Sequence, residues 1–162
     1  MEDIDRFRKS DIFPPSAEIR GCDFFFRPDF ISPVWLAFPE YPFLLGLKFP
    51  FTEIIEEFFS KTGIPYIQTM PGVWRILHWI SLLNESKGTN IGLEEIASVY
   101  DIKSFRSFWF LLKKKSGRIP LVEDFNQEDG LWKKIFFFVK RSTIPHGETL
   151  PMEWIQEGIL VL

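Results

Sequence analysis

Seven prolines fall between residues 11 and 50, at Pro14, Pro15, Pro28, Pro33, Pro39, Pro42 and Pro50. Each withholds a backbone N–H and fixes φ, which excludes this stretch from long helices and from the centre of a sheet. The same stretch carries Phe24, Phe25, Phe26, Phe30, Trp35, Phe38, Tyr41 and Phe43. That is too much apolar area to leave in water. The pattern predicts a Pro/aromatic-rich N-terminal arm over residues 1–45, packed on the rest of the domain, with a short helix around Trp35.

The pattern changes at Pro50. Phe51, Ile54, Ile55, Phe58 and Phe59 follow the spacing of one helix face, with Glu53, Glu56 and Glu57 opposite. Gly63 and Pro65 are stop signals for that helix. Pro71 suits the first turn of a second helix to about Asn84, apolar nearly all round through Val73, Trp74, Ile76, Leu77, Trp79, Ile80, Leu82 and Leu83, and therefore expected at the centre of the fold. A third helix is predicted from Gly92 to Val99, with Glu94 and Glu95 at its positive end.

Beyond Lys103, two segments rich in bulky residues are predicted as strands: Phe105 to Leu112 and Lys134 to Lys140. The second is apolar on both alternating faces, as in a strand covered on each side. Ser116-Gly117-Arg118 predicts a turn into a short strand over Ile119 to Val122. The expected fold class is α+β: a helical core of about three helices packed with a small antiparallel sheet. One globular domain over residues 46–157 and an apolar tail over 158–162 complete the organisation. With 162 residues and 46% apolar composition, such a chain can bury a core without crosslinks.

Several function classes find no support in the residues. A single cysteine, Cys22, cannot form an internal disulfide, and with only His78 and His146 beside it there are too few soft ligands for structural zinc. His78 lies inside the second helix, where a satisfied structural histidine is the plain reading. His146 lies in the Pro145-His146-Gly147 turn, and nothing around Cys22 would lower its pKa. The paired carboxylates at Glu56-Glu57, Glu94-Glu95, Glu123-Asp124 and Glu128-Asp129 read as solvated faces and loops. Asp101, Asp124 and Glu153 have no context that would gather them around metals. No glycine-rich phosphate loop occurs. The expectation is a non-enzymatic chain with no catalytic residue, no cofactor and no metal. An acidic opening, Met1-Glu2-Asp3-Ile4-Asp5, and the lack of an apolar run of ~20 residues predict an intracellular protein, nuclear or cytoplasmic, with no membrane partner.

One polar feature stands out against a net charge of −3. Lys103, Arg106, Lys113, Lys114, Lys115 and Arg118, then Lys133, Lys134, Lys140 and Arg141, occur without intervening acids. Interleaved with Phe105, Phe108, Trp109 and Trp132, they offer a stacking, phosphate-neutralising surface over residues 103–118 and 132–141. Lys113, Lys114, Lys115, Arg118, Lys133 and Lys134 are the candidate nucleic-acid contacts. Lysines at strand ends also keep a sheet soluble and discourage edge pairing, which is the plainer reading.

Three segments carry a family resemblance: Gly46-Leu47-Lys48-Phe49-Pro50-Phe51, Pro71-Gly72-Val73-Trp74-Arg75-Ile76-Leu77 and Trp132-Lys133-Lys134-Ile135-Phe136-Phe137-Phe138-Val139. In order and spacing they resemble the plant gypsy-type transposon domain family across about residues 24 to 154, with Trp154 matching a late tryptophan. Where that family has a glycine before its sheet, this chain has Ser107. The resemblance implies a retrotransposon-derived plant protein and transfers no catalytic residue. Aromatic excess without catalytic groups predicts a protein-interaction or assembly domain, with Trp35, Trp109, Trp132 and Trp154 as candidate contact anchors and a protein partner or self-association. Nucleic-acid binding through the basic stretches is the alternative.

Overall fold

The computed structural model describes residues 2–21, 33–106, 108–122, 136–151 and 155. Among them are five α-helices and five strands: α1 Glu2–Lys9, β1 Ile19–Gly21, β2 Trp35–Pro39, α2 Tyr41–Leu44, α3 Glu53–Thr62, α4 Pro71–Lys87, α5 Leu93–Val99, β3 Tyr100–Phe105, β4 Trp109–Lys114 and β5 Phe136–Lys140. The fold is α+β, with three main helices and two small antiparallel sheets.

The three main helices begin and end where local chemistry dictates. α3 stops at Gly63, whose φ of 71° is left-handed backbone that a side chain would strain. α4 starts on Pro71, as a residue with no N–H to lose, and runs three residues beyond Asn84. α5 is closed by Glu95, whose carboxylate accepts from the Gly92 N–H at 2.7 Å. That bond favours the ionised form and lowers the Glu95 pKa.

The sheets differ from the single sheet predicted. β5 is central in a three-stranded sheet ordered β1-β5-β2, and both of its partners come from the proline-rich arm. The arm therefore supplies edge strands, the positions proline tolerates. Phe137 and Val139 of β5 pair beside Ile19, Leu36 and Phe38 on the core side. Trp35 begins β2, so the short helix expected there is corrected: the helical turn lies at Tyr41–Leu44 instead. The predicted strand over Phe105 to Leu112 holds as β4 from Trp109 onward, while Arg106 and Phe108 lie in the turn of a hairpin. Phe105 and Trp109 face each other across the turn, and β3 and β4 form a separate two-stranded sheet. No strand forms over Ile119 to Val122. Pro120 has no N–H to give to a ladder, and the Leu121 N–H donates to the Tyr100 hydroxyl.

One buried cluster joins these parts, drawing Phe7, Phe13, Phe38 and Phe43 from the arm and Phe58, Phe59, Trp74 and Leu77 from α3 and α4. Tyr66 lies at its centre, 4.6 Å from the Phe59 ring and 5.1 Å from Phe38. α1, missed in the sequence, is pinned by Phe7 stacked on Phe137 at 4.7 Å and by Arg6 bonded to the buried Glu40 at 3.0 Å. The sheets are bridged through residues 66–70. The Met70 N–H donates to the Phe110 carbonyl, and the buried Gln68 amide bonds Phe108 O and both backbone groups of Ile155. No helix among the described residues is long and apolar enough to cross a membrane.

Candidate functional site

The four described basic candidates cluster at one end of the β3–β4 hairpin, and two of them are already engaged. Lys114 donates to the Arg118 carbonyl at 2.9 Å. Lys115 donates to the Ala97 carbonyl at the end of α5 and lies 3.7 Å from the Asp101 carboxylate. Asp101 is also the cross-strand neighbour of Lys113. The strand register puts Phe105, Trp109, Lys103 and Lys113 on the outer face of the hairpin, with Asp101 among them. An acidic residue inside a patch of four cations weakens its field on a phosphate chain.

The two described aromatic anchors lie in different sheets. Trp35 is half-buried on β2, with the Arg20 guanidinium 4.5 Å above its ring. Trp109 is half-buried on β4, in the other sheet. Trp132, Trp154, Lys133 and Lys134 lie outside the described residues, as do Cys22 and the tail.

The surface that does assemble is on α4, which is not apolar on every covered side. Val73, Trp74, Ile76, Leu77 and Ile80 are buried against α3 and the arm. Arg75, His78, Trp79 and Leu82 occupy the opposite face at i, i+3, i+4 and i+7, the spacing of a second stripe. Trp79 is 53% exposed and Leu82 37%. This corrects the central position expected for the whole helix. α2 extends the stripe: Arg75 lies 5.5 Å above the Tyr41 ring, and one turn on Leu44 is 58% exposed. Tryptophan, tyrosine and arginine beside exposed leucine are the residue types that carry binding energy at protein interfaces. Sequence periodicity hid the stripe, because an exposed Trp and Leu on a helix that also has a core face look like more core.

His78 belongs to this stripe. Burial holds its imidazole pKa below the ordinary value, with Glu85 partly offsetting that, and its Nδ1 is buried with no hydrogen-bond partner among the described residues. The satisfied structural histidine read from the sequence is therefore replaced by an orphaned one. A partner's donor or acceptor brought to that nitrogen would remove a desolvation cost.

A second feature lies on the outer side of α3. Glu53, Glu56 and Glu57 face a recess of about 510 Å³ whose other wall is Tyr66, His146, Thr149, Leu150 and Pro151. Glu56 and Glu57 are half-buried there, not on the fully solvated face the sequence suggested. Burial raises the Glu56 pKa, with His146 opposing the shift. The wall opposite α3 is built by Arg141, whose buried guanidinium donates to Gly147 O at 2.8 Å and to Glu148 O at 2.6 Å. Only glycine fits at 147, since a Cβ there would stand 2.0 Å from the Arg141 carbonyl oxygen. No group of three metal-ligating side chains occurs among the described residues.

No family model, curated protein or solved structure matches this chain.

Proposed function

We propose that the chain is a non-enzymatic protein-interaction or assembly domain of a plant retrotransposon-derived protein, and that the outer stripe of α4 is its contact surface. The retroelement origin rests on the three motif segments alone. The interaction role rests on one observation: Trp79 and Leu82, one turn apart on the outer face of α4, are exposed among the described residues. Soluble domains seldom leave a tryptophan and leucines grouped on the surface without a partner.

The stripe is complementary to itself. A two-fold axis at Ile80 between antiparallel α4 helices brings His78 of one copy opposite Leu82 of the other, with Trp79 near the axis. Such an isologous contact closes after two copies. Sedimentation of the purified chain over a broad concentration range tests this reading. Reversible self-association is expected, and strict monomers that also capture no protein from plant extract would remove it.

A second reading, nucleic-acid binding, draws on Phe105 and Trp109 beside Lys103 and Lys113 on one hairpin face. Anisotropy of labelled duplex DNA and single-stranded RNA at low and physiological salt separates the two. A steep salt slope would favour this reading, and a flat titration at low salt would end it.

A further inference from the structure

The recess on α3 is a different surface from the α4 stripe and does not depend on it. Its acidic wall follows from helix spacing. Glu53, Glu56 and Glu57 stand at i, i+3 and i+4, so three carboxylates project from one side of a helix whose other side is core. None of the three has an ion-pair partner among the described residues. Three neighbouring carboxylates repel one another, and like charges at this spacing cost stability unless a cation lies between them.

Tyr66 is an independent sign of a ligand. Its ring is packed among Phe38, Phe51, Phe59 and Trp74. Tyr66 also lines the recess, with the residue 1% exposed and its hydroxyl buried without a hydrogen-bond partner among the described residues. A buried, unsatisfied hydroxyl is costly, and native structures seldom retain one without a use. Burial and the Glu56 charge both hold this phenol far above its ordinary pKa, so it stays a neutral donor and acceptor at the recess wall. Leu150 and Pro151 complete the recess with apolar surface.

We propose that this recess is a binding site for an alkylammonium or alkylguanidinium group. The alkyl stem lies on Leu150 and Pro151, and the cationic head is held by Glu53, Glu56 and Glu57 beside the Tyr66 hydroxyl. Carboxylates arranged around a cavity with an apolar side match a charged head on a flexible aliphatic stem. The same chemistry occurs on a free amine and on the lysine or arginine side chain of a peptide. A bare divalent ion would gain nothing from the apolar wall.

The test is a series of ¹H–¹⁵N correlation titrations of the full chain with n-butylguanidinium, n-butylammonium, the peptide Gly-Arg-Gly and the neutral isostere n-butylurea. The pH is set about one unit above the ordinary histidine range. Saturable shifts confined to Glu53–Ser60, Tyr66 and His146–Leu150 are expected for the cations and not for the urea. If the peptide binds as well as the butyl cations, a side chain is an adequate source; if only the small cations enter, the ligand is a free amine. Glu53→Gln with Glu57→Gln should weaken binding at least about tenfold while the spectrum stays dispersed. Tyr66→Phe keeps the charge and core volume and should weaken it about threefold. Equal shifts with the urea, unsaturable shifts with the cations, or wild-type affinity in the folded double variant would overturn the proposal. Wild-type affinity in Tyr66→Phe would remove the hydroxyl from it.

Discussion

Trp74 and Trp79 lie five residues apart on one helix and have opposite surroundings. Trp74 is fully buried, with the Phe59 ring 4.8 Å away and the Phe51 ring 5.3 Å away. Trp79 is 53% exposed on a face that also carries Leu82, His78 and Arg75. Five residues turn a helix by about 140°, enough to move a side chain from core to solvent. One tryptophan is explained by the fold and the other is not. A large apolar side chain that contributes little to its own domain is available for a contact between molecules.

The largest expected effect lies on the core side. Trp74→Ala should cost about 3–5 kcal/mol, because it empties a site ringed by Phe51, Phe59 and Tyr66, and denaturant unfolding with an unchanged m-value would measure it. A cost below ~1 kcal/mol would break the contrast. Next comes association. Trp79→Ser with Leu82→Ser should weaken self-association by at least about tenfold, as expected for the centre of an interface.

A smaller effect is pH-dependent. Burial lowers the His78 pKa, so between its folded value and the ordinary value near 6.5 the folded chain binds fewer protons than the unfolded chain. Stability contributed at His78 is thus fully present above the ordinary value and is lost as pH falls through that window. The imidazole is half-buried and keeps part of its surface in water, so the slope is shallow. A His78→Gln variant should flatten it in thermal unfolding scans, and an unchanged slope would assign it to other groups. Self-association should weaken in the same direction, since a partner would desolvate the imidazole further. The smallest effect is the stability of the monomer in Trp79→Ala, which should lie within about 0.5 kcal/mol of wild type when measured at a concentration below association.

Local patterns made α3, α4 and α5 legible, because helix periodicity, the stop at Gly63 and the start at Gly92 act within a few residues. β5 was legible for a related reason: Phe136-Phe137-Phe138-Val139 is apolar on both faces, as a central strand must be. Its partners were not. β1 has only three residues, and strand pairing across more than one hundred residues leaves no local mark. The hairpin turn at Arg106 was hidden because it has neither glycine nor asparagine, and Arg106 itself takes a φ of 50°. α1 offers too few apolar residues for a periodic signal.

The candidate surfaces divide in the same way. Arg75, His78, Trp79 and Leu82 were all visible, but only the packing of the opposite side reveals that Trp79 and Leu82 are exposed. Glu53, Glu56 and Glu57 were visible as one acidic face. That Tyr66, His146 and Leu150 close a recess over them depends on the Arg141 anchor, which sequence spacing does not encode.

The central claim is that the outer stripe of α4 is where a second copy binds. Sedimentation velocity of the wild-type chain and of the Trp79→Ser, Leu82→Ser double variant, from micromolar to near-millimolar concentration, tests it most directly. The account predicts that the wild-type sedimentation coefficient rises toward that of a dimer while the variant, with unchanged circular dichroism and melting temperature, stays a monomer throughout. A folded variant that associates as strongly as wild type would contradict it.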